Sequence, residues 1–257
     1  MKKKTKNKII NVVLDIIIIL LLFLVGLFGY KYWDSKKISR DADKDQKIAM
    51  EAIEESKDEE NKFTIDWNYL MSQNSDTKMW LKMPDEINIS RVVVKTDNNE
   101  YYLTHGFVND GSYGTTFASY LNVGDIISDQ TTVLYDHMWY GEENKGFSNL
   151  TRLKNQDVFN RNQTFDIYTP EHKFTFKIFS VSIQPANGTL ASYFSAFTQE
   201  EFDDYINQAK ADSLVSTDYL PKYGDRLVTL YTCTEYDSYD RLIVNAGLVA
   251  IDDIENE

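Results

Sequence analysis

The chain has 257 residues, 42% hydrophobic and 26% charged, which is enough apolar material for one domain with appendages. Its formal charge of -13 repels a phosphate backbone, so no nucleic acid is expected as a partner. A single cysteine excludes an internal disulfide framework, three histidines among scattered carboxylates give no zinc-type spacing, and the sequence holds no glycine-rich phosphate loop, so no metal and no cofactor are expected.

In chain order, Lys2, Lys3, Lys4, Lys6 and Lys8 make residues 1–8 a basic head. Residues 9–30, IINVVLDIIIILLLFLVGLFGY, are apolar apart from Asn11 and Asp15. A helix needs about 20 such residues to cross the hydrocarbon layer, so a transmembrane helix is expected here. The lysines should remain cytoplasmic, which puts the rest of the chain outside the cell membrane. Lys31, Tyr32 and Trp33 follow the run, where a cleaved signal peptide would show small residues. Residues 31–62 are dense in charge and free of proline and glycine, predicting a partly helical stalk with a solvated face.

Phe63, Trp67, Leu70 and Met71 recur at helical spacing, and Trp80, Leu81 and Met83 predict a short packed strand. Short strands then follow at 89–95, 101–103, 116–120, 131–135, 164–169, 173–183, 226–231 and 242–249. Their β-branched and aromatic residues, separated by Asn, Asp and Gly turns, predict a largely antiparallel sheet or barrel. The stretch TQEEFDDYINQAKAD interrupts the strands. Thr198 and Glu201 form a capping-box pattern, and Phe202, Tyr205, Ile206 and Ala209 share one face, so a helix should cover the barrel there. Residues 63–257 thus read as one mainly β domain with peripheral helices.

The only cysteine, Cys233, ends the predicted strand RLVTLYT; His137 follows the strand TVLYD; Arg241 opens the next strand eight positions beyond the cysteine. Three strand ends could therefore bring a thiol, an imidazole and a guanidinium to one cleft. A nearby cation favours the thiolate, an imidazole can protonate a leaving amine, and a permanently charged guanidinium can hold an oxygen that gains negative charge. Each residue also has a plain reading, as a small core hydrophobe, a satisfied strand-end histidine and a solvated charge. Spacing by itself leaves both open.

The segment TLYTC, residues 229–233, resembles the TLxTC signature of sortases, membrane-anchored transpeptidases of Gram-positive bacteria. WLKMP at 80–84, DNNEYYLTH at 97–105, TTVLYDHM at 131–138, FSNLTRL at 147–153 and YDRLIVNAGLV at 239–249 resemble segments of class B sortases in the same order. The resemblance spans roughly residues 63–251. It implies a sortase-type eight-stranded β-barrel behind the membrane helix, with the helix from Gln199 as the class B insertion. It further implies Cys233 as nucleophile, His137 as general acid and base, and Arg241 as oxyanion donor. The substrates would be secreted proteins bearing a C-terminal sorting signal, cleaved through a thioester that an amine of the cell-wall precursor, or a pilin lysine, resolves.

Two positions depart from the family pattern. Asp136 stands where a glycine usually precedes the histidine, as in YGH, and is a candidate tuning or orienting group. Tyr231 stands where a small residue is usual and adds an aromatic wall; Tyr193, Phe194 and Phe197 are further candidates for the substrate groove. Asp240 is a candidate orienting carboxylate, with Asp237 in the same loop, while His105 is read as structural. A Cys-His peptidase acting as a hydrolase, a pilin polymerase, and a catalytically silent surface anchor or binding module are the competing functions.

Overall fold

The computed structural model describes residues 2–55, 63–108, 113–188, 198–234 and 239–254. Its apolar N-terminal run passes without a break into the charged segment, so that α1 (Lys2–Met50) is a single helix of 49 residues. From Asn11 onward it is long and apolar enough to cross a membrane. Its last turns lie along the domain instead of standing clear of it. Asp45, Ala49 and the following Ala52 are buried, four and three residues apart on one face, and Ser39 is buried six residues before Asp45. That face is small enough for close approach, and Ala49 and Ala52 pack with Leu70, Trp80 and Val92. Charged residues beside it find partners: Lys36 Nζ lies 2.9 Å from Glu142 and Lys145 Nζ lies 2.9 Å from Asp43.

Strands β1 (Ile53–Glu55) and β2 (Phe63–Ile65) form an antiparallel pair before helix α2 (Trp67–Gln73). The Asp66 carboxylate accepts the Tyr69 N–H at 2.8 Å and caps α2, so the helix starts after Phe63 and Ile65. Phe63, expected on the helix, is therefore in a strand, where its ring packs 4.9 Å from that of Tyr168.

Eight further strands close a barrel: β3 (Thr77–Lys82), β4 (Ser90–Val94), β5 (Phe117–Ala118), β6 (Thr131–Tyr135), β7 (Thr164–Tyr168), β8 (His172–Pro185), β9 (Leu227–Cys233) and β10 (Asp240–Asp253). Their order around the barrel is β10-β8-β7-β3-β4-β5-β6-β9. Most pairs are antiparallel, as expected, but β4–β5 and β6–β9 are parallel, which makes the barrel mixed. The expected strand at 101–103 is instead a helical turn, α3 (Tyr101–Thr104). Aromatic content suggested a strand, but the Asn98 side chain accepts the N–H groups of Glu100 and Tyr101 at 2.9 and 2.8 Å and starts a turn. A 3-10 helix (Ser148–Lys154) and α4 (Gln156–Arg161) follow β6.

Alternation along the strands feeds two kinds of core. Met79 and Leu81 of β3 and Leu242, Val244 and Ala246 of β10 fill the barrel with Leu134, Phe165, Phe176 and Leu230. The residues between them face outward into helical covers. Trp80 packs under α1 and α2, whereas Ile243 packs under α5 (Gln199–Ala211) with Phe202, Tyr205, Ile206 and Ala209. The α5 capping box is formed: the Thr198 hydroxyl accepts the Glu201 N–H at 3.3 Å, and the Glu201 carboxylate accepts the Thr198 N–H at 2.7 Å.

These contacts set two expectations for chemical denaturation of the full chain. Removal of the cap in Thr198→Ala should cost about 1 kcal/mol. Phe202→Ala, which empties a fully buried site under α5, should cost about 3–5 kcal/mol. Equal costs for the two would mean that α5 does not depend on its apolar face.

Candidate active site

Strand register pairs two of the three sequence candidates directly and sets the third just past the end of a neighbouring strand. On the antiparallel pair β9–β10, Cys233 and Arg241 are direct partners, so their side chains leave the sheet on the same face. On the parallel pair β6–β9, Tyr135 is matched with Tyr231, and the Asp136 N–H reaches the Tyr231 carbonyl at 3.3 Å. His137 follows that match by two residues beyond the end of β6, as Cys233 follows it by two at the end of β9. The face is the outer one: Leu230 and Leu242 point into the barrel, while Tyr231, Cys233 and Arg241 alternate away from it. Cover by α5 reaches Ile243 and Asn245 of β10 and stops short of Arg241, which is half-buried, as is Cys233.

Tyr231 lies within this group. Its ring meets Tyr135 edge to face at 5.2 Å, and the Arg241 guanidinium carbon is 6.0 Å from the Tyr231 ring centroid. Burial pushes the Tyr231 phenol above its ordinary value, and the charge of Arg241 pulls against that rise. Arg241 is held in turn by donation from Nη1 to the Asp240 carbonyl at 3.0 Å. Asp240, exposed at the start of β10, thus contributes its main chain to the site; its carbonyl also accepts the Thr234 N–H at 3.3 Å.

The imidazole of His137 is fixed from three sides. Its Nε2 lies 2.7 Å from the Leu103 carbonyl of α3. A carbonyl can only accept, so Nε2 carries the proton and the neutral ring keeps Nδ1 as its acceptor. The Tyr113 ring packs against it at 4.7 Å. Gly114, at φ +75, passes beneath; a Cβ there would fall 2.9 Å from His137 Cδ2 and 2.7 Å from the Tyr102 carbonyl.

Asp136 has a defined environment of its own. Its Oδ1 accepts the His137 N–H at 2.6 Å, and its Oδ2 accepts the hydroxyl of the buried Thr116. Desolvation raises the carboxyl above its ordinary value, opposed first by the charge of Arg91 and then by the Thr116 hydrogen bond. The chain then turns at Gly146, φ +49, where an added Cβ would come 2.2 Å from the His137 carbonyl. That close approach accompanies the Phe147 N–H bond to the same carbonyl at 2.9 Å.

His105 sits apart from this constellation, stacked on Tyr101 at 4.0 Å with Nδ1 on the Tyr101 carbonyl at 2.8 Å. Tyr193, Phe194, Phe197 and Asp237 lie outside the described residues. Among the described residues, no group of three or more His, Cys, Asp and Glu side chains is disposed to hold a metal ion. Sequence reasoning missed Leu103, Tyr113, Thr116 and Arg91. Only Gly114, between Tyr113 and Thr116 in the sequence, is a local sign of close backbone approach near any of them.

Comparison with known proteins shows the family and the fold. The sortase domain model matches residues 81–249, more than half of the chain. Sortase B of Listeria monocytogenes is 25% identical over 187 residues, 70% of this chain and 72% of that protein. Sortase B of Staphylococcus aureus is 22% identical over 247 residues, covering 93% and 97%. Among solved structures, Clostridium perfringens sortase B superposes with a TM-score of 0.64 at 29% identity, over 71% of this chain and 99% of the other. Bacillus anthracis sortase B, at 23% identity, shares the fold with a TM-score of 0.66 over 85% and 99%. With a sortase B-like barrel and a family match running from β3 to β10, the chain belongs to the sortase family.

Proposed function

We propose that this chain is a membrane-anchored class B cysteine transpeptidase that cleaves a C-terminal sorting signal of secreted proteins and passes the acyl group to an amine of the cell-wall precursor. The observation that carries the reading is the register of β6, β9 and β10, with Cys233 directly opposite Arg241 and His137 two residues past the Tyr135–Tyr231 match. Residues 1–8 would lie in the cytoplasm, 9–30 in the bilayer, 31–62 would join membrane to domain, and 63–257 would form the extracellular catalytic unit.

In this reading the Cys233 thiolate attacks the carbonyl carbon of the scissile peptide bond. The oxygen gains negative charge and is held by the Arg241 donors, whose guanidinium is anchored at the Asp240 carbonyl. As the tetrahedral adduct collapses, the C–N bond breaks, the proton of the His137 imidazolium goes to the departing nitrogen, and a thioester remains. An acceptor amine then attacks the thioester carbonyl and gives up a proton to the imidazole, and Cys233 leaves as thiolate. The Leu103 carbonyl on Nε2 would keep the ring in one orientation through both proton transfers. Tyr231, packed between Tyr135 and Arg241, would wall the cleft where the acyl chain lies.

The full chain in detergent, incubated with LPxTG-like and NPxTN-like peptides, should show a peptide-dependent gain in intact mass that hydroxylamine releases. Cys233→Ala should abolish the gain, and Arg241→Lys should slow it about 10²–10³-fold. A gain that survives in Cys233→Ala, or no gain with any peptide, would sink the assignment. Product formation that ignores added amine would make the chain a hydrolase.

Orientation has its own measurement. A membrane-impermeant maleimide applied to intact cells should label Cys233, the only cysteine, without lysis. Labelling that appears only after lysis would place the domain on the cytoplasmic side.

A further inference from the structure

Asp136 occupies the one position in the site where this chain carries a charged side chain in place of the family's usual glycine, and the structure gives that side chain a complete set of partners. The His137 N–H and the Thr116 hydroxyl both donate to it. Arg91 of β4, facing both Asp136 and Asp43, supplies positive charge without a direct ion pair to Asp136. A carboxylate that only tolerated a tight turn would point to solvent; this one turns inward.

Arg91 also reaches outside the barrel. Its Nη1 donates to Gln46 Oε1 of α1 at 2.5 Å, and its Nη2 donates to the Asn144 carbonyl at 2.7 Å. Asn144 belongs to the loop that runs from His137 to Phe147. The same loop is also tied to α1 directly, among other contacts by Lys145 to the Ser39 carbonyl at 2.9 Å and to Asp43 at 2.9 Å, and by Glu142 to Lys36 at 2.9 Å. A cavity of about 100 Å³ lies at the junction, lined by Asp43 and Gln46 of α1 and by Arg91, Thr116, Asp136 and Lys145 of the domain. One polar joint therefore connects the helix to the residue before His137.

We propose that Asp136 is a positioning residue for His137, and that the last turns of α1, through Gln46 and Arg91, form part of the mount that holds the loop in place. The role of the inferred catalytic histidine rests on the transpeptidase reading above; the mount itself does not. Asp136 does not take a positive φ here, so the backbone path itself asks for no glycine. Here the path is secured by the Asp136 acceptor, and its cost in desolvation is offset by Thr116 and Arg91.

Hydrogen exchange of the full chain in detergent, resolved at the His137 amide, tests the mount without substrate. Asp136→Gly removes the acceptor and should speed exchange at that amide about tenfold. Asp136→Asn keeps an acceptor oxygen and should restore protection to within about threefold of the native chain. Thr116→Val, which frees the carboxylate from its other donor, should give an intermediate rise and serves if Asp136→Gly does not fold. Gln46→Ala touches no atom of the loop and should still raise exchange about threefold. Native exchange in both Asp136→Gly and Thr116→Val would overturn the positioning role, and native exchange in Gln46→Ala would overturn the part given to α1.

Alkylation of Cys233 by iodoacetamide, run on the same samples, separates this inference from the one beneath it. If His137 serves Cys233, the rate should fall in Asp136→Gly and recover in Asp136→Asn. A native thiol no faster than an ordinary free one, in every variant, would remove the catalytic reading while the exchange data still judged the mount.

Discussion

The pairing of β9 with a parallel neighbour on one side and an antiparallel neighbour on the other is the constraint on which the site depends. Because strand side chains alternate with a period of two, a slip of one residue would turn Cys233 into the barrel and bring Thr232 out. The same slip between β9 and β10 would take Arg241 away from its place opposite the thiol. Such slips are blocked by the core: Leu230, Leu242 and Val244 fill the barrel only in the observed register. The geometry of the polar site is therefore set by apolar packing one residue away on each strand.

A barrel covered on both faces needs outward apolar residues as well as inward ones, and the helices meet that need unevenly. Helices α1 and α2 cover Trp80 and Val92 on one flank, and α5 covers Ile243 and Phe179 on another. The ends of β6, β9 and β10 nearest the candidate residues lie where these covers run out. Buried Asn245 marks the border, accepting from Thr229 and Tyr205 at 2.8 and 3.0 Å under α5, four residues before which Arg241 sits half-exposed. Access and rigidity are thus obtained together, because the strands that bear the candidate residues are clamped a few residues away.

Much of this was legible in the chain itself, and the reasons are local. Val and Ile runs ended by polar turns predict β6, β9 and β10, which suffices to bring Cys233, His137 and Arg241 to strand ends. The Thr198–Glu201 capping box predicts the start of α5 to the residue. The misread segments are those where a side chain's hydrogen bond outweighs propensity: Asn98 bends 101–104 into a helical turn, and Asp66 begins α2 after Phe63. The surroundings of Asp136 were not legible for a different reason. Gln46, Arg91, Thr116 and Asn144 come from four separate elements, and no periodicity in sequence relates them. Charge in residues 31–62 suggested a stalk with a solvated face, whereas Ser39, Asp45, Ala49 and Ala52 are buried, which charge counting passes over.

The unbroken course of α1 bears on where the reaction takes place. In the proposed membrane setting, Lys36, where contact with the domain begins, is only six positions beyond Tyr30, the end of the apolar run. At 1.5 Å per helical residue that is a rise of about 9 Å. A rod so short, continuous at both ends, fixes the height and the heading of the cleft relative to the lipid headgroups. The enzyme would behave less like a tethered body sweeping a volume than like a bench fixture, to which both the secreted chain and the acceptor must be delivered along the bilayer surface.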